Sequence, residues 1–116
     1  MVLSADQILV GEALSGSRGD DQQIIAEVGF AIVAELLRKN ADYGSSAWTE
    51  PELLPGASAF AGMQVRMSDK IARLKTLLSG EKPQVSESIS DTFRDLAGYS
   101  ILWVGFARKV SAVELP

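Results

Sequence analysis

The stretch from Ser86 to Ala112, SESISDTFRDLAGYSILWVGFARKVSA, decides how the chain is read. It holds no proline and two glycines, so one long helix is expected, capped by Ser86. Glu87, Asp91 and Asp95 recur at every fourth residue. That spacing stacks three carboxylates along one slowly turning stripe. On the opposite side Ile89, Phe93, Leu96, Ala97, Val104 and Ala107 form a coherent core face. From Tyr99 to Phe106 the polarity vanishes all round. A helix that is apolar on every side is covered on every side, so a homo-oligomer joined through Tyr99–Phe106 is expected.

Composition narrows the chemistry. The chain has 116 residues, enough for one domain with a modest core. It contains no cysteine and no histidine. Zinc fingers, thiol nucleophiles, Ser-His-Asp triads and imidazole bases are therefore excluded. Any metal would be held by oxygen, which means a hard ion such as Mg²⁺ or Mn²⁺. Eleven basic against fifteen acidic side chains argue against bulk binding to duplex nucleic acid. No apolar run reaches membrane-spanning length, and the first residues lack the pattern of a signal peptide. A soluble cytoplasmic protein is the expectation.

Upstream of the organising stretch the chain reads as further helix. Ser4 and Gln7 stand in capping-box spacing at the head of a short helix ending near Leu14. SGSRGD at 15–20 is a connector. Asp20 or Asp21 caps a second helix, running to about Lys39, with Ile24, Ile25, Val28, Ile32 and Leu36 on one face. Glu35 projects among those apolar residues, where a carboxylate must be paired, metal-bound or protonated. KNADYGSSAW at 39–48 breaks the helix and presents Tyr43 and Trp48 on a loop, where they can stack on a base or plug the end of a core. TEPELLPG at 49–56 is a connection.

The next helix spans about 57–79, with Phe60, Met63, Met67, Ile71, Leu74 and Leu78 as its core face. Its other side gathers Arg66, Asp69 and Arg73, with Lys70 on the edge. Three cations on adjacent turns can hold a polyphosphate, or they can form a solvated ladder of ion pairs. The fold expected is all-α. It is a single domain over 1–116, a compact bundle of three long helices (20–112) preceded by a short helix and linker (1–19), and completed by oligomerisation.

KNADYG at 39–44, RMSDKIARLKTLL at 66–78 and ESISDTFRDLAGYSIL at 87–102 together resemble a phage and bacterial family, the nucleotide modification associated domains. The resemblance covers about residues 20–104. It implies nucleotide and base modification as the context, and the candidate nucleotide-contacting residues are Lys39, Asp42, Tyr43 and Trp48, with Arg66, Asp69, Lys70 and Arg73. More distantly, the chain is similar to the all-α nucleoside triphosphate pyrophosphatases, the MazG and dimeric dUTPase group. Those enzymes hold Mg²⁺ between E-x-x-E and E-x-x-D pairs on two helices. Asp95, Leu96 and Tyr99 look like the end of the second motif, but Thr92 stands where its glutamate is expected, and Glu27 and Glu35 lie eight apart.

Two functions remain open on this reading. In the first, Glu35, Glu87, Asp91 and Asp95 bind Mg²⁺ or Mn²⁺ and Glu35 serves as general base, its pKa raised by apolar surroundings, in hydrolysis of a nucleotide phosphate. In the second, the same cations and aromatics bind and sequester a nucleotide without chemistry. A helical oligomer with no small ligand is the plainest alternative.

Overall fold

The structure, a computed structural model, describes residues 2–80 and 88–111. These form four α-helices, α1 (Ala5–Leu14), α2 (Asp20–Tyr43), α3 (Ala59–Leu78) and α4 (Ile89–Val110), with a single 3₁₀ turn at Ser46–Trp48. No strand occurs among the described residues, so the all-α expectation holds. The chain divides into two compact units, Met1–Arg38 and Lys39–Pro116, and the division falls inside α2 rather than at the 15–20 connector.

In the first unit, the α1 cap forms as its spacing requires. The Gln7 backbone N–H donates to Ser4 Oγ at 3.1 Å, and the Ser4 N–H donates to Gln7 Oε1 at 2.8 Å. Arg18 then pairs with Glu12 and ties the connector back to α1. Gly19, at φ 90°, immediately precedes α2. Asp20 and Asp21 therefore sit in the first turn, where their charge suits the helix dipole, rather than ahead of the helix as caps. No residue of α2 is fully buried, and Glu35 is half-buried.

The second unit opens with the last turn of α2, which extends past Lys39 because Asn40, Ala41 and Asp42 tolerate helix. Two successive left-handed residues, Gly44 and Ser45, end it. The Gly44 N–H returns to the Asn40 carbonyl at 2.9 Å, and Asn40 Nδ2 donates to Ser45 Oγ at 2.9 Å.

Helix α3 starts at Ser58, whose Oγ accepts from the Ala61 N–H at 3.0 Å. It packs along α4, with Met63 and Leu74 buried in the contact. The packed face is Ala59, Met63, Met67, Lys70, Leu74 and Leu77. It is rotated roughly 50° from the expected one at 100° per residue. Lys70 turns inward, while Ile71 and Leu78 are 45% and 63% exposed. The reason is electrostatic as well as apolar: Lys70 Nζ reaches Asp95 Oδ2 on α4 at 2.9 Å, and the lysine stem covers apolar surface on the way.

The face of α4 also differs from expectation. Thr92, Leu96, Tyr99, Leu102, Trp103 and Phe106 are buried or half-buried, while Ile89, Phe93, Ile101 and Val104 stay exposed. Periodicity cannot choose between two apolar sides of one helix, and here large aromatics decide. Phe60 packs on Trp103 and Phe106 with centroids 5.0 and 4.8 Å apart.

The cap of α4 is Ser88, not Ser86, which lies outside the described residues. Ser88 Oγ accepts from the Asp91 N–H at 2.9 Å, and the Ser88 N–H donates to Asp91 Oδ2 at 3.4 Å. Hydrogen bonding from the Ser88 side chain, then from its backbone N–H, holds the Asp91 carboxyl below its ordinary range, with Arg94 helping. A carboxylate with a depressed folded pKa adds stability above its unfolded pKa and loses it as pH falls through the folded value. Ser88→Ala is therefore expected to lower Tm by roughly 4–8 °C near neutral pH. The gap to the parent should narrow below about pH 4, where Asp91 begins to protonate in the unfolded chain. Thermal melts followed by circular dichroism across pH check both points.

Candidate functional site

Between α3 and α4 lies an open recess of about 360 Å³ lined by Arg66, Asp69, Lys70, Arg73 and Tyr99. Its size falls in the usual range of small-molecule sites, ~300–1,000 Å³. Arg66, Asp69, Lys70 and Arg73 follow one another at i, i+3, i+4 and i+7 on α3, which sets all four on one helical stripe. The rotation of α3 toward α4 turns that stripe from a solvent face into the wall of a recess. Three of the five lining residues are cations on a chain whose net charge is −4. Such a local reversal of sign concentrates field on an incoming anion.

The lining residues differ in freedom. Arg66 and Asp69 are exposed and enter no ion pair among the described residues. Arg73 is half-buried, with its Nε shielded from solvent. Lys70 is held by Asp95 from α4, both side chains about one-third exposed or less. Tyr99, one turn beyond Asp95 on the same face of α4, closes the recess with a half-buried ring. The sequence reading placed Tyr99 on an oligomer surface. Its i+4 spacing from Asp95 was the signal that set it beside the cations.

The other expected site residues of the second unit are not among those lining the recess. Lys39, Asp42 and Tyr43 sit in the last turn of α2, exposed to solvent and apart from the recess lining. Trp48 is a packing residue: its Nε1 donates to the Leu102 carbonyl at 3.0 Å, and its ring lies 6.0 Å from that of Phe106. A Cβ on Gly105 would come within 3.2 Å of the indole, so the absence of a side chain there makes room for it. Glu35 belongs to the first unit.

Two acids of the stripe have partners within the protein. Asp91 is occupied by the cap and by Arg94 at 3.4 Å, Asp95 holds Lys70, and Glu87 lies outside the described residues. Among the described residues no group of three acidic side chains is placed to hold a metal ion. Thr92 is 0% exposed, with its hydroxyl donating to the Ser88 carbonyl at 3.1 Å.

No described helix is long and apolar enough to cross a membrane. No curated protein and no solved structure matches the chain. A family profile, nucleotide modification associated domain 1, matches residues 39–104, which takes in the 3₁₀ turn, α3 with its cations, and α4 through Val104. With more than half of its residues inside that match, the chain belongs to the nucleotide modification associated domain 1 family.

Proposed function

We propose that this protein binds a phosphorylated nucleotide in the recess between α3 and α4. The observation that carries this reading is the convergence of Arg66, Lys70, Arg73 and Tyr99 on one cavity. Arginine forks match phosphate oxygens in pairs, and a tyrosine ring offers a face to a base or sugar. Asp69, the one carboxylate in the lining, suits the hydroxyls of a sugar. The family's name adds nucleotide modification as the setting.

Sequestration or delivery of the nucleotide is favoured over hydrolysis by the buried Thr92 and by the commitment of Asp95 to Lys70. The test is to incubate the purified chain with deoxynucleoside mono-, di- and triphosphates and cyclic nucleotides, with and without Mg²⁺ or Mn²⁺. Calorimetry measures binding, and chromatography of the released ligand shows whether it is intact. Binding with intact recovery supports this reading. Mg²⁺-dependent product formation would make the protein a pyrophosphatase-like hydrolase, and no binding across the panel would remove the nucleotide altogether.

A second copy of the chain is the partner proposed for α4. Ile89, Phe93, Ile101 and Val104 form an exposed uncharged stripe away from α3, and two-fold pairing of one such stripe with itself buries both. Light scattering at micromolar concentration is expected to give at least a dimer, and Ile101→Glu to shift it toward monomer. Trp103, which also packs on Phe60, is half-buried beside that stripe.

A further inference from the structure

We infer that Asp95 is a resident competitor of the ligand's anion: it holds Lys70 until a polyphosphate takes the lysine over, and so sets the recess to prefer polyphosphates to single phosphates. This rests on phosphate binding in the recess. Lys70 Nζ lies 2.9 Å from Asp95 Oδ2 while also lining the cavity. An anion that engaged Lys70 alone would exchange one carboxylate partner for another of similar charge and gain little. Arg66 and Arg73 stand seven residues apart on α3, ~10.5 Å along its axis. A ligand with two or three linked phosphates can reach toward both ends of that span and displace Asp95 in the middle, whereas a lone phosphate cannot do both. Asp95 is therefore a positioning residue that acts through Lys70.

The test uses the full chain, inorganic phosphate and pyrophosphate as probes, and calorimetry in EDTA and again in Mg²⁺. Asp95→Asn keeps the shape of the side chain and removes its charge. It is expected to bind phosphate about three- to tenfold more tightly than the parent and pyrophosphate by a smaller factor, so that the preference for pyrophosphate shrinks. In a Lys70→Gln background the same change should alter neither affinity by more than about twofold. Circular dichroism confirms folding, and Asp95→Ser serves as a second neutral variant.

Equal or weaker phosphate binding in both neutral variants overturns the inference, as does an equal gain with and without Lys70. Weaker binding only in Mg²⁺ also overturns it, by making Asp95 a metal ligand. Failure of the parent and both variants to bind pyrophosphate overturns the reading of the recess itself. Binding by the parent without the Asp95 effect overturns only the inference.

Discussion

Arg66→Ala is expected to weaken nucleotide binding at least tenfold and to leave the melting temperature where it is. Arg66 is exposed, forms no ion pair among the described residues, and lines the recess. It therefore contributes little to the packing of the described residues while presenting an exposed guanidinium to a phosphate. Loss of a charge-assisted contact costs about 1.5–3 kcal/mol, roughly ten- to a hundredfold in affinity. A solvated surface charge would show almost no change. Arg73→Ala should lose a similar factor but also lower Tm, because its stem and Nε are shielded in the packed structure. Lysine at either position keeps the charge without the planar fork and should restore only part of the affinity. Calorimetric titration with the tightest nucleotide of the panel, beside thermal melts, separates the two arginines. Equal affinity in Arg66→Ala and the parent would remove Arg66 from the site.

The elements of this chain were legible in the sequence because their boundaries are written in local chemistry. Ser4 with Gln7 and the proline-rich 49–56 connection each act within a few residues of themselves. The orientation of the helices was not legible in the same way. In α4, Phe93 and Val104 on one side and Trp103 and Phe106 on the other are equally apolar, so a 3.6-residue period admits either face. The choice rests on Phe60, more than forty residues upstream of both Trp103 and Phe106. In α3 the polar-apolar boundary was drawn between Met67 and Lys70, yet a lysine with a long apolar stem and an acid opposite belongs on the packed side.

The site was legible to the same degree. The i, i+4, i+7 cations, with Asp69 at i+3, could be placed on one stripe from spacing alone. That the stripe lines a recess depended on the rotation of α3, and the partners of the acids depended on Ser88 and Lys70 claiming Asp91 and Asp95. Neither claim has a signature in the acidic spacing itself.

Trp48→Ala is expected to destabilise the protein by about 2–4 kcal/mol, less than or comparable to removing a fully buried aromatic, and to lower Tm by ten degrees or more. The indole joins the 3₁₀ turn to α4 by three separate interactions. Its N–H donates to the Leu102 carbonyl at 3.0 Å, its ring packs against Phe106 beside Gly105, and Lys109 Nζ lies 5.4 Å from the ring centroid. Trp48→Phe keeps most of the apolar contact and loses the hydrogen bond, so it should cost about 1 kcal/mol. Gly105→Val should approach the alanine variant, since a Cβ at 3.2 Å already requires the indole to give way. Denaturant melts measure all three. The same variants test where the aromatic acts. A packing residue changes stability and leaves nucleotide affinity per folded molecule unchanged, whereas an indole stacked on a base would lose affinity at nearly constant stability. The second pattern would return Trp48 to the ligand site and detach it from α4; the geometry of its N–H, which donates to the α4 backbone, predicts the first.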